Sequence, residues 1–377
     1  MLARSLHWEG KRQNVSAGEN HGFDEGAEGF PLAHLNAVRL LVVALVGAGY
    51  ASTMARGPGA PEWAHHLGYD PSWFGLQVLF FLSGAMAWRS VEAGRRGWRY
   101  LGSRVRRTLP VLALYTLAVV SVLYPALCQA GALDAAGLWL LAAYFGETVT
   151  LISPGGPMPG ALDDAAYACL LQGTVWTLRW GAALHLCTLF AARLRPNGVS
   201  VGRLAIAALA LNVLGVGAYV WLGARWLEPI APGLRLAYPW VLGIAAFSFR
   251  HRLPRTPGSY AIATLILLGL GGAHQQLLGW SPAVEILGTV AWCAAALGLM
   301  RLRPSLVSHV PPLALPVYLG VWPTAQTILY LQPDIPTGAL IGATLLVSVA
   351  LAYASSVVLS GVFKPPAASQ LKRPRTA

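Results

Sequence analysis

Apolar residues fall in long, nearly unbroken runs along this chain, separated by short polar stretches rich in arginine. The runs lie near 35–55, 73–90, 109–128, 175–194, 203–222, 234–249, 258–273, 282–300, 311–332 and 338–362. Each approaches the roughly 20 residues with which a helix crosses the hydrocarbon core of a bilayer. The pattern predicts an all-α fold, a polytopic membrane bundle of about ten transmembrane helices. One membrane domain, 31–365, is expected between a disordered polar tail (1–30) and a basic tail (366–377).

A further run, GLWLLAAYFGETVTL (137–151), competes for a place among the spans. Counting it would invert every later loop, so it is expected to be an interfacial or re-entrant piece of a long outer segment, 129–174. That segment also holds PGGPMPG (154–160) and Asp163–Asp164. It is expected either to cover an outward-facing site or to be a poorly ordered loop.

Charge sets the orientation. Of the 27 Lys and Arg, four (Arg56, Arg179, Arg225 and Arg235) fall on the expected outer side. Arg39 lies just within the inner boundary, and all the others fall on the inner side, as the positive-inside rule requires. Both termini are therefore expected in the cytoplasm. The N-terminal residues lack the apolar stretch of a cleavable signal peptide.

Composition agrees: 55% of residues are hydrophobic and 11% charged, against about 25% charged in soluble domains. The net charge of +12 could suggest nucleic acid, but its placement is topological, so membrane lipids are the expected partners and nucleic acid is not. The four cysteines, Cys128, Cys169, Cys187 and Cys293, form no C-x-x-C pair, and no zinc or other metal site is expected. Cys128 and Cys169 share the outer side and could pair in an oxidising compartment.

Ionisable and polar residues inside spans are the candidate chemistry, because each is costly unless satisfied. Arg39 either snorkels to the inner headgroups or faces a cavity. Tyr50, eleven residues later, lies on nearly the same helix face and about 16 Å farther along; it either packs with one hydrogen bond or serves the site. The stretch RRGWRYLGSRVRRTLP (95–110) includes Arg104, Arg106 and Arg107. It suits a membrane anchor equally with a site for phosphates, which guanidinium groups grip bidentately. The phosphates of coenzyme A and anionic lipid heads both fit. His185, near mid-membrane, is either a buried, hydrogen-bonded histidine or a catalytic one. Glu285 is expected to meet water at the outer surface, and His34 to be exposed at the inner interface.

Several of these segments together resemble the acyltransferase-3 family of polytopic membrane O-acyltransferases. LNAVRLLVVALV (35–46) resembles the family's first helix with its arginine. In FGLQVLFFLSGAMAWRS (74–90), Gly75, Gln77, Phe80, Phe81, Leu82, Ser83 and Gly84 follow the family's G-V-D/Q-L-F-F-V-L-S-G pattern. Arg104-x-x-Arg107 before Pro110 is similar to its R-x-x-R loop, and GTVWTLRW, with Trp176, to its W-S/T-L helix start. YLGVWP, with Tyr318, is similar to Y-L-x-H-x-P, and VFKPP to the terminal V-E-K/R-P.

The resemblance covers about 35–365 and implies a ten-helix core in a bacterial inner membrane. It also implies acyl transfer, commonly of acetyl, from cytoplasmic acyl-CoA as co-substrate to a hydroxyl of a carbohydrate or glycolipid acceptor. Arg39, Arg104, Arg106 and Arg107 would hold the donor phosphates. Tyr50, with His185 or His34, would orient or deprotonate the acceptor hydroxyl. Gln77, Ser83, Trp176 and Tyr318 are the remaining motif positions. Four polar family positions differ here: the helix-one histidine is Tyr50, an acid is Gly181, a second histidine is Val321, and the terminal glutamate is Phe363. Tyrosine, with an ordinary pKa near 10, is a poorer base than histidine at neutral pH. A non-catalytic relative that scaffolds, presents or moves a glycan or lipid is the alternative. A secondary transporter has less support, because neither an inverted repeat nor paired broken helices are visible.

Overall fold

The computed structural model describes residues 30, 34–60, 62, 70–94, 97–128, 135–162, 165, 167–193, 200–221, 223, 227–279, 281–302 and 310–362. Among these the chain is helical, with no named strand. Residues 1–29, Asp163–Asp164 and 363–377, Phe363 included, lie outside the described residues; Phe30, the last residue of the expected N-terminal tail, is buried against Phe247.

Eleven helices follow in order. They are α1 (Leu35–Arg56), α2 (Pro71–Glu92), α3 (Trp98–Leu127), α4 (Ala135–Thr150), α5 (Trp176–Arg193) and α6 (Val201–Trp221). After them come α7 (Ala231–Ser248), α8 (Pro257–Leu278), α9 (Pro282–Met300), α10 (Ala314–Leu331) and α11 (Thr337–Val362). A helix occupies each of the ten apolar ranges. Six of them, α1, α2, α3, α8, α9 and α11, are long and apolar enough to cross a membrane. The competing run forms α4, whose 16 residues rise only about 24 Å, short of a hydrocarbon core of about 30 Å.

Helix α3 begins well before the apolar run expected at 109–128, because no proline stands between Trp98 and Pro110 and the lone Gly102 does not interrupt it. Gly97, with φ of +58°, turns the chain into it. Arg99, Arg104, Arg106 and Arg107 therefore ride on its first turns instead of a loop. Pro110 lies inside the helix, and a π turn at Val119–Leu123 widens it farther on.

The bundle is built around α2, which packs on α1, α5, α7 and α9. Its tightest partner is α7. A Cβ on Gly84 would overlap the backbone carbonyl of Trp240, and one on Gly243 would overlap that of Phe81. In a bilayer, water does not drive helices together, so small residues that let backbones approach carry the packing. The largest buried cluster, including Phe81, Leu82, Tyr100, Trp240 and Phe247, closes over this contact. Helix α1 packs on α2, α10 and α11, and α8 pairs with α9. On α8, Ile262, Leu265, Ile266 and Leu270 are exposed, the apolar surface expected of a helix bordering lipid.

The segment after α4 is anchored, which answers one of its two expected readings. The Met158 N–H donates to the Cys169 carbonyl at 2.7 Å, and the Cys169 N–H donates to that of Ala161 at 3.2 Å. The Trp322 indole N–H donates to the Leu170 carbonyl at 2.8 Å, and the Gln326 amide to that of Tyr167 at 2.8 Å. Non-glycine residues Leu151, Leu162 and Cys169 take left-handed conformations there, so α10 fastens a tightly turned segment. Cys128 pairs with Ala161 in an isolated bridge, and no disulfide joins Cys128 to Cys169.

Two expectations are corrected. Glu285 does not simply meet water: it is 6% exposed and takes several hydrogen bonds across helices. His34 is buried rather than exposed, and its Nε2 lies 3.0 Å from the Leu302 carbonyl. The partners lie far along the chain, Trp73 and Gln77 more than 200 positions from Glu285, Arg235 50 positions from it, and Leu302 268 from His34, beyond the reach of local sequence.

Candidate functional site

Helix α1 carries two polar positions at opposite ends of one face. Arg39, half-buried near its start, lies within electrostatic range of Arg104 and Arg107 on α3. The spacing of Arg104 and Arg107 sets them on one side of α3, and the helical start of α3 lifts them toward α1. Three cations held together repel one another, so the cluster suits a ligand with several negative charges.

Arg104 also has a structural task. It donates to the Met86 carbonyl at 3.1 Å and to the Ser90 hydroxyl at 2.8 Å, tying α3 to the end of α2. Its guanidinium lies 5.4 Å from the centre of the Tyr100 ring. The Tyr100 hydroxyl in turn meets His185 Nδ1 at 2.5 Å, and the His185 ring stands edge-on to Trp240 at 4.7 Å. His185 is thus engaged beside the cationic cluster rather than with Tyr50. Arg106 is exposed.

At the other end of α1, Tyr50 faces Tyr318 of α10, with their hydroxyls in polar contact. The Tyr318 hydroxyl donates to the Thr174 carbonyl at 3.0 Å and lies 2.8 Å from the Thr177 hydroxyl. Tyr50 packs edge-on against Trp322 at 5.3 Å, and Tyr167 does the same from the other side at 5.2 Å. The segment before α5 therefore roofs the ring that backs Tyr50. Glu62 approaches from below α2: it is within electrostatic range of Tyr50 and accepts the Ser72 N–H at 2.9 Å and the Ser72 hydroxyl. A carboxylate at the start of α2 also meets the positive end of that helix.

The structure thus gathers Tyr50, Tyr318 and the Trp176–Thr177 start of α5 at one end, and Arg39, Arg104 and Arg107 at the other. Trp176 is half-buried and packs between two apolar clusters. Gln77 belongs to neither group. Its amide nitrogen donates to Glu285 at 2.9 Å and its oxygen accepts the Thr289 hydroxyl, which consumes it in holding α2 to α9. Ser83 is half-buried and makes no hydrogen bond among the described residues. At Gly181 an added Cβ meets open space, whereas Val321 is fully buried and presses on Gly47.

Sequence reasoning missed Glu62 and the ion pair of Arg235 with Glu285, 3.1 Å apart. Glu62 sits in a Pro- and Gly-rich connection that carries no periodic signal, and the pair joins residues 50 positions apart. A lone acid at the head of an apolar run was the available hint. No family model, curated protein or solved structure matches this chain.

Proposed function

We propose that the protein is a membrane O-acyltransferase. It moves an acyl group, acetyl in the simplest case, from cytoplasmic acyl-CoA to a hydroxyl of a surface carbohydrate, glycolipid or similar acceptor. In this reading ten helices span a bacterial inner membrane and both termini are cytoplasmic. The observation that carries it is the layout of α1. A triple-cation cluster stands at the arginine-rich end and a chain of hydroxyls stands about 16 Å away along the same helix. Coenzyme A has the same layout, with phosphates at one end and the thioester at the end of an extended arm.

Arg39 and Arg107, with Arg104 behind them, bind the donor phosphates. The acceptor hydroxyl oxygen attacks the thioester carbonyl, forming the new C–O bond. Tyr50 donates a hydrogen bond to the developing oxyanion, and Tyr318 does so by turning its O–H away from the Thr174 carbonyl, a task that suits a neutral phenol better than general-base work. Glu62 is the carboxylate placed to take the acceptor's proton and return it to the sulfur as the C–S bond breaks.

A non-catalytic relative that scaffolds or presents a glycan or lipid is the second reading. Tyr50, Gly181 and Val321, where the resemblance places polar groups, favour it. Labelled acetyl-CoA added to membranes bearing the chain separates the two. Transfer of label, lost with Arg39→Ala, supports the enzyme. No thioester consumption with any sugar-lipid pool, together with normal behaviour of Arg39→Ala in the native host, supports the scaffold.

A further inference from the structure

A separate, narrow cleft lies where α6, α7 and α9 meet, toward the end of the bundle away from the arginine-rich start of α3. It opens to the flank, its accessible surface is mostly apolar, and its walls include Asn212, Val213, Arg235, Tyr238, Glu285 and Ile286. Its centre is the Arg235–Glu285 ion pair, and that pair is used only in part. The Arg235 Nε donates to Glu285 Oε1 at 3.1 Å, and the same oxygen accepts the Trp73 indole N–H at 2.8 Å and the Gln77 amide at 2.9 Å. The guanidinium rests 4.3 Å from the centre of the Trp73 ring.

A pair serving packing alone is strongest as a two-bond fork. Here Arg235 keeps both terminal nitrogens, and Glu285 keeps its second oxygen, without a hydrogen bond among the described residues. Asn212 shows the same half-use. Its nitrogen donates to the Leu234 carbonyl at 2.9 Å, while its Oδ1 is buried with no partner among the described residues, in a residue 8% exposed. A buried acceptor left unsatisfied is costly, which points to a donor supplied from outside the chain. The Tyr238 hydroxyl makes no hydrogen bond among the described residues either.

The cleft therefore offers donors, the Arg235 terminal nitrogens and the Tyr238 hydroxyl, beside two acceptors, Glu285 Oε2 and Asn212 Oδ1. One acceptor is anionic and one donor group cationic, so the complement is a zwitterion with an anionic oxygen and an N–H-bearing cation a few bonds apart. Phosphoethanolamine has that form. The choline headgroup has no N–H to give, the glycerol headgroup has no cation, and a neutral sugar has neither charge. Val213 and Ile286 make the remaining wall apolar, and Leu211 and Leu214 on the adjoining surface of α6 are exposed, as a site entered from the bilayer requires. We propose that this cleft binds the headgroup of an ethanolamine phospholipid, with the phosphate on Arg235 and the ammonium between Glu285 and Asn212. It does so whether or not the Tyr50 end transfers acyl groups.

Native mass spectrometry of the full chain in detergent, titrated with dioleoyl phosphatidylethanolamine, phosphatidylcholine or phosphatidylglycerol, tests this. The ethanolamine lipid should be retained about 10-fold more tightly than the others, the worth of a charge-assisted hydrogen bond or two. Asn212→Leu, which leaves the ion pair whole, should bring retention down to the choline level. Its fold is checked independently by an unchanged melting temperature without lipid. Equal retention of all three lipids, or undiminished selectivity in Asn212→Leu, would overturn the proposal. So would soluble phosphoethanolamine binding as well as the lipid, because that would assign the cleft to a glycan-borne group.

Discussion

The hydroxyl of Tyr318 on α10 lies 2.8 Å from that of Thr177 on α5, 141 residues earlier in the chain. Both also reach the Thr174 carbonyl, at 3.0 Å each, and Tyr50 completes the group from α1. Three helices meet through hydroxyl groups at one point, in a bundle whose other contacts are mostly apolar.

If this point stabilises an oxyanion, removing one donor should cost rate rather than donor affinity. Tyr318→Phe is expected to lower kcat for acetyl transfer about 10²-fold, the range found for oxyanion donors, with little change in KM for acetyl-CoA. Steady-state kinetics in lipid checks it; an unchanged kcat would remove Tyr318 from the chemistry.

Arg39→Ala should do the reverse. Losing one charge-assisted contact to phosphate is expected to raise KM for acetyl-CoA about 10-fold or more. The effect should shrink as salt rises, since the cluster works through charge. A titration of KM against ionic strength reads this directly, and a salt-independent KM in the parent chain would count against a phosphate site.

The α2–α7 contact predicts a sharp contrast between two glycines. Gly84→Ala drives a methyl group into the Trp240 backbone and should destabilise the bundle by about 1–3 kcal/mol or more. At Gly102 on α3 an added Cβ meets nothing within 4 Å, so Gly102→Ala should leave thermal unfolding unchanged or raise its midpoint slightly. Equal effects of the two substitutions would mean that α2 and α7 are not in backbone contact.

The Arg235–Glu285 pair gives a test of burial. Arg235→Leu strands the Glu285 carboxylate, which is 8% exposed in its side chain, and is expected to cost about 3 kcal/mol. Adding Glu285→Leu should recover part of that loss, because the uncompensated charge is gone. A double-mutant cycle by chemical unfolding in detergent measures the coupling; additive losses would show that the pair is solvated.

The sequence by itself determined the helical class and the placement of the helices. Apolar runs about 20 residues long are local features, and the charge bias of the loops sums over the whole chain without reference to any contact. It also marked Arg39 and Tyr50, because a polar group in an apolar run stands out wherever it later packs, and Arg104 and Arg107 by the density of arginine around them, whereas Tyr318 was marked only by the resemblance to a family motif. Which of these meet was decided only by the tertiary structure. Neither the early start of α3, which carries Arg104 and Arg107 into range of Arg39, nor the pairing of His185 with Tyr100 instead of Tyr50 follows from spacing along the chain. Glu62 and Glu285 are buried for the same reason: their partners, Ser72, Trp73, Gln77 and Arg235, are brought to them by the packing of α2, α7 and α9. A carboxylate's cost of burial is offset by neighbours in space, and the order of residues does not say who those neighbours are.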